Sequence, residues 1–358
     1  MKRSSDRNLF ILVLILTVLG LIAVADASAP QAMQAFSDKF YYAKQQLGWA
    51  IVGIFAMIIF ANIPYKIWEK LAVPIFALGV ILLVVVLIPG VATRVMGAKR
   101  WIHWGPVTLQ PSELIKLSLA IYLAKVSAKK KQSLAFLIPL FLVCGLIMLE
   151  PDLGTTLIVM IIGLVQIFMS EINFFKFMGA IFLAGIGVFL LTITSEYRRS
   201  RLMTFLQMSQ DPLGKDYHIR QILLALGSGG FWGVGLGLSR QKYLFLPESA
   251  TDSIMAVIAE EIGFIGVLVL ILLFGLFVYK GILIAKKAPD KFGQILAIGI
   301  TTWIGGQMLL NVSAVIALIP LTGVPLPFFS YGGSSLVTVL VATGILLNIS
   351  KYSHVRGN

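Results

Sequence analysis

The chain has 358 residues, of which 58% are hydrophobic and only 13% charged, with a mean hydropathy of +0.92. Soluble domains run near about 45–50% apolar and about 25% charged, so the polar groups that would cover a water-soluble surface of this size are missing. The same composition excludes disorder and a coiled coil, and a disulfide scaffold is excluded because Cys144 is the only cysteine and lies in an apolar run. The formal charge of +13 sits in short bunches between apolar stretches, as orientation in a bilayer requires. It lacks the continuous basic face of a nucleic-acid binder.

Ten apolar stretches are each near the ~20 residues that cross a hydrocarbon core. They fall at 9–25, 47–61, 71–92, 112–126, 134–149, 153–170, 177–194, 253–279, 295–318 and 336–349. The expected fold is an all-α polytopic membrane protein with ten transmembrane helices, one domain over 1–358. The first stretch follows Lys2, Arg3 and Arg7 and precedes Ala27-Ser28-Ala29, which imitates a signal peptide. Its apolar core is too long and a multi-span chain follows, so it is expected to be retained.

With the N-terminus in the cytoplasm, the inner connections and termini hold sixteen Lys and Arg, against five in the short outer loops. This asymmetry places both termini in the cytoplasm and the long loop at 195–251, before the eighth span, outside. Within that loop Ile219, Ile222, Leu223 and Leu226 recur at helical spacing. A helix lying in the outer interface and one packed on the face of the bundle fit this pattern equally. No internal repeat is evident, which weighs against an inverted-repeat transporter.

Four clusters fall on the outer side of this topology. The first joins Lys99-Arg100-Trp101 to Gln110-Pro111-Ser112-Glu113, with Lys116 one turn after Glu113. Pro111 suits a first helical turn, and Glu113 and Lys116 are spaced to pair on one face. Charges at that depth mark function by default, a structural ion pair being the alternative. The second cluster is Glu150-Pro151-Asp152-Leu153-Gly154-Thr155, where Asp152 is either functional or a helix cap. The third is Pro247-Glu248-Ser249-Ala250-Thr251-Asp252, with basic Arg240 and Lys242 before it and Glu260 and Glu261 after. Asp252 is again a candidate either for chemistry or for a cap, and at least one of the two glutamates must face the interior.

The fourth cluster runs from Gly323 to Ser335 and includes Pro325, Pro327, Ser330, Tyr331, Gly332, Gly333 and Ser334. Prolines and glycines at this density break a regular helix, and irregular backbone at membrane depth survives only against protein or a cavity. No phosphate-binding loop is present, and His103, His218 and His354 are scattered without metal spacing.

Taken together, Gln110-Pro111-Ser112-Glu113, Pro151-Asp152-Leu153-Gly154-Thr155 and the run from Pro325 to Ser335 resemble the signature blocks of the SEDS family (shape, elongation, division, sporulation). The resemblance spans nearly the whole chain and includes Ala225-Leu226-Gly227-Ser228-Gly229-Gly230. Asp211-Pro212-Leu213-Gly214 and Ser239-Arg240-Gln241-Lys242 are more similar to the FtsW branch than to the RodA branch. Ala250 and Ser253 depart from the family, which usually has His and Phe there.

The resemblance implies a glycosyltransferase of the bacterial cytoplasmic membrane that polymerises lipid II in division or elongation. It implies Asp252 as the catalytic base, and Arg100, Lys116, Arg240 and Lys242 as candidates for the diphosphate. Glu113, Asp152, Glu260, Ser330, Gly332 and Ser334 would support the site. Mg or Mn at the diphosphate is compatible with this chemistry, although no dedicated cage is visible. The implied partners are lipid II, the nascent glycan, a class B penicillin-binding protein transpeptidase and other divisome or elongasome membrane proteins, with no nucleic acid. A lipid II flippase or other transporter is the competing expectation.

Overall fold

In hydrocarbon every backbone polar group must be satisfied within its own segment, so long apolar runs close into helices. The computed structural model describes residues 5–90, 93–95, 98–104, 107–129, 134–170, 217–243 and 245–352, with scattered positions from 175 to 205. In chain order the first elements are α1 (Arg7–Ala27), α2 (Ala29–Phe36), α3 (Tyr41–Asn62), α4 (Lys66–Leu87), β1 (Thr93–Val95), β2 (Ala98–Trp104) and β3 (Val107–Leu109). There follow α5 (Pro111–Ala128), α6 (Leu134–Leu149), α7 (Leu153–Met169), α8 (Tyr217–Gly229), α9 (Ile254–Lys286), α10 (Lys291–Val315) and α11 (Gly333–Lys351).

Among the described residues six helices are long and apolar enough to cross a membrane: α1, α3, α4, α9, α10 and α11. Helices α6 and α7 are apolar but shorter, and α5 carries Glu113, Lys116 and Lys125 along its length. The molecule is therefore a mostly helical, multi-pass membrane protein. The expected span at 177–194 is described only at 177–179, 181–183 and 185–187, and the loop stretch Asp211-Pro212-Leu213-Gly214 lies outside the described residues.

One expectation is corrected. The fold is not all-α, because β1, β2 and β3 form a three-stranded antiparallel sheet in that order. Its registers include Arg94 opposite Lys99 and Ile102 opposite Leu109. Aromatic and β-branched residues of the kind that favour strands are interleaved here with charge. The small residues after α1 open a further short helix, α2, with Pro30 in its first turn. Helix α8 buries Ile219, Ile222 and Ala225, while Leu223 is exposed. Its inner face packs on α9, where a Cβ on Gly229 would fall 2.2 Å from the Ala259 carbonyl oxygen.

The central layer is α5, α7, α9, α10 and α11, with α1 against α9 and α3 against α11. Trp303, Phe274, Phe277 and Phe292 are among its fully buried side chains. Helix α9 is broken at Gly263, whose φ of 68° takes the chain out of the helix. The segment after α8 crosses at that break: Phe264 N donates to Gly230 O at 2.9 Å, and Val234 N to Glu260 O at 3.0 Å.

Candidate functional site

The irregular segment between α10 and α11 is the point on which the four sequence clusters converge. From α5, Lys116 Nζ donates to Glu113 Oε1 at 2.7 Å and to Gln307 Oε1 at 2.9 Å. Gln307 Nε2 in turn donates to the Pro325 carbonyl at 2.9 Å. Trp303 Nε1 shares Gln307 Oε1 at 2.8 Å, and the Lys116 ammonium lies 5.1 Å from the Trp303 ring centroid. Glu113 and Lys116 are almost wholly buried, so the charge on each is tolerable only because of the other.

From α7, Asp152 caps the helix by accepting from Thr155 N at 3.0 Å. The same carboxylate faces Arg100 at 3.7 Å. Arg100 also donates to the carbonyls of Glu150 (3.0 Å) and Pro151 (2.6 Å), so strand β2 is clamped to the start of α7. Immediately after this cap, a Cβ on Gly154 would stand 2.6 Å from the Thr322 carbonyl oxygen. The Glu150 carboxyl is buried without a hydrogen-bond partner among the described residues. Burial, with the nearby Asp152 charge and against the pull of Arg100, pushes it up to about 8.

At the start of α9 the N-cap is Ser253, whose own side chain makes no capping hydrogen bond. The cap alternative for Asp252 is therefore set aside, since Asp252 precedes the cap in the turn that leads into the helix. Its main-chain carbonyl accepts from Asn311 Nδ2 at 2.9 Å, and the same nitrogen donates to Val324 O at 2.8 Å. Its carboxylate lies against Gly323, where a Cβ would come within 3.2 Å of Oδ2. Gly323 has φ +70°, so both conformation and space call for glycine there. Ser253 Oγ is 2.8 Å from His218 Nε2 on α8.

The proline and glycine segment is tied to the same turn. Ser330 Oγ donates to Thr251 O at 2.7 Å, and Tyr331 N to Ala250 O at 2.8 Å. Gly332 N donates to Gln46 Oε1 of α3 at 3.2 Å. Ser334 Oγ is buried with no hydrogen-bond partner among the described residues. Ser330 is thus a brace between the two segments, and Gly332 leads into α11.

Both glutamates of α9 are buried, and each organises the loop before Asp252. Glu260 accepts from Ser239 Oγ, from Arg240 N at 3.0 Å and from Gln241 N at 3.3 Å. Lys242 Nζ binds Glu261 Oε1 at 2.8 Å and Asp26 Oδ1 of α1 at 2.7 Å. Burial pulls the Lys242 ammonium down, but the bonds from Asp26 and Glu261 outweigh it and its pKa rises. Lys116 and Lys242, both expected at the diphosphate, are buried and paired with carboxylates. The Arg240 side chain is exposed.

Asp26, Gln307 and Asn311 join the site without having stood out in the sequence. Gln307 and Asn311 are one helical turn apart in an apolar span, a spacing that puts both on one face and that would have singled them out. Beneath the segment, Phe274 and Phe277 meet Phe328 and Phe329 with ring centroids 6.0–6.3 Å apart.

A family model described as "Cell cycle protein", covering FtsW, RodA and SpoVE, matches residues 6–355. The chain is 42% identical to Stage V sporulation protein E of Bacillus subtilis, over 98% of each chain. It is 40% identical to a probable peptidoglycan glycosyltransferase FtsW of Trichlorobacter lovleyi, over 96% of this chain and 93% of that one. Among solved structures, a chain of a peptidoglycan synthase complex, studied for the coordination of polymerization and crosslinking, superimposes with a TM-score of 0.79 at 26% identity, covering 97% of each. The rod shape determining protein RodA of Thermus thermophilus gives a TM-score of 0.71 at 26% identity, covering 97% of this chain and 96% of that one.

Proposed function

The chain belongs to the FtsW/RodA/SpoVE family of cell cycle proteins, and on that premise we propose that it is a peptidoglycan glycosyltransferase polymerising lipid II at the outer face of the cytoplasmic membrane. In this reading ten helices span the bilayer, both termini are cytoplasmic and the 195–251 loop is external. The observation that carries it is the arrangement around Asp252, where a carboxylate is seated against Gly323 while α5, α7 and α10 brace the adjoining backbone.

Joining two lipid-linked sugars requires a base to take a proton from the acceptor hydroxyl and positive charge where the diphosphate departs. Asp252 accepts the proton of the GlcNAc 4-hydroxyl of incoming lipid II. That oxygen bonds to the anomeric carbon of the MurNAc ending the growing glycan, and the bond to undecaprenyl diphosphate breaks with inversion. Arg240, exposed beside the site, and Arg100, partly exposed on β2, supply the cationic groups for the leaving diphosphate. Glu113, Lys116, Asp152 and Glu260 hold the surrounding backbone. Among the described residues no three His, Cys, Asp or Glu side chains gather as ion ligands. Mg or Mn at a diphosphate is usually held by one or two carboxylates together with the phosphate oxygens, so such an ion remains compatible with this donor set, and no step passes through one.

The glycosyltransferase activity ascribed to the FtsW relatives supports the reaction, and the synthase-complex neighbour supports a class B penicillin-binding protein as partner. The packed layer of Phe274, Phe277, Phe328 and Phe329 weighs against a flippase, which needs a polar path continuing beneath the loop. The test is purified chain in liposomes with lipid II, alone and with the transpeptidase. Glycan strands are expected. Transbilayer movement of lipid II without any glycan would replace the polymerase with the flippase.

A further inference from the structure

We infer that Asn311 is a positioning residue for Asp252. The inference rests on the reading of Asp252 as the base. Asn311 lies in α10, is 2% exposed, and sits between two backbone segments that no covalent connection keeps together. Its Nδ2 donates at 2.9 Å to the carbonyl of Asp252 itself and at 2.8 Å to that of Val324. Val324 follows Gly323, the residue against which the Asp252 carboxylate rests. One amide therefore fastens both the residue that carries the carboxylate and the wall on its other side.

The orientation of this amide is settled by chemistry. Both partners are carbonyl oxygens, which only accept, so the nitrogen must face them. The oxygen, Oδ1, is then directed elsewhere, and it is buried with no hydrogen-bond partner among the described residues. A buried acceptor left open in this way is costly. Leucine, of similar size, could fill the same volume with neither donor, so what the amide adds here is its two bonds. Asn311 is moreover one turn beyond Gln307 on α10, and Gln307 fastens the next carbonyl of the segment, Pro325. Two consecutive turns of one helix thus hold consecutive carbonyls of the wall beside Asp252.

A base displaced by about 1 Å loses roughly 10²-fold in rate. The experiment compares Asn311→Leu, which removes the donors at nearly constant volume, with Asn311→Ser, which keeps one hydroxyl donor and serves if the leucine variant does not fold. Asp252→Asn is run in parallel. Each is assayed for lipid II polymerisation, with kcat, KM and a melting curve. The expected result is a kcat order of wild type, Ser, Leu, with Leu lower by roughly 10–100-fold, and with KM and melting temperature close to wild type. A kcat unchanged in both Asn311 variants while Asp252→Asn is inactive would overturn the inference and leave the base assignment standing. A joint fall of kcat, affinity and melting temperature would make Asn311 merely structural and also overturn it. Wild-type activity in Asp252→Asn would remove the base, and with it the object that Asn311 positions.

Discussion

Lys116 Nζ lies 2.9 Å from Gln307 Oε1 as well as 2.7 Å from Glu113 Oε1, so the one buried ammonium of α5 is bonded across to α10. Breaking one partner of a buried pair typically costs about 3–5 kcal/mol, because the other charge is left uncompensated. Glu113→Gln and Lys116→Met should each lower the melting temperature and abolish glycan synthesis. The double variant should recover much of the stability, since neither charge remains, and none of the activity, since the link through Gln307 to Pro325 is still lost. Wild-type synthesis and melting in both single variants would make the pair dispensable.

A second buried cation makes a separable prediction. Lys242 joins Asp26 of α1 to Glu261 of α9. Lys242→Met leaves Glu261 buried and uncompensated, at a cost on the order of 3 kcal/mol. Adding Glu261→Gln should restore part of that loss in a thermal melt. A Lys242→Met protein melting like wild type would show that the three charges are not coupled.

Glu150 gives a pH prediction. It lies in the connection between α6 and α7, and its folded pKa, about 8, is above the ordinary value of 4.5. Between those values the folded state binds more protons than the unfolded state, so stability falls as pH rises. The contribution is fully present below about 4.5 and lost on passing through about 8. Wild type should therefore lose melting temperature relative to Glu150→Gln across this window, with the difference constant above it. Parallel curves from pH 5 to 9 would contradict the assignment.

Orientation is checked by cysteine labelling, which the buried Cys144 does not disturb. Leu236 and Lys287 are both exposed, one in the external loop of the proposed topology and the other between α9 and α10. An impermeant reagent on intact cells should label Leu236→Cys and spare Lys287→Cys until the membrane is opened. The reverse pattern would invert the topology.

The apolar runs and their breaks were legible because a bilayer leaves the backbone few choices. Glu113 with Lys116, and Asp152 as a cap, could be read from spacing alone. The sheet at Thr93–Leu109 could not, because its strands are short and interleaved with charge and its pairing is not a local property. The partners of Lys242 were hidden for a related reason, since Asp26 and Glu261 come from distant helices and only packing brings them together. A count of charges on one side of the membrane does not tell which are already paired, as Lys116 and Lys242 are with carboxylates.

The central claim is that Asp252 removes the acceptor proton, and the substitution Asp252→Asn tests it most directly. The change is nearly isosteric, and Ser253 rather than Asp252 is the N-cap of α9, so the melting curve and lipid II binding should stay near wild type. An amide does not accept the proton at neutral pH, so polymerisation should fall by roughly 10²–10⁴-fold. A folded Asp252→Asn protein that polymerises lipid II at the wild-type rate would contradict the account.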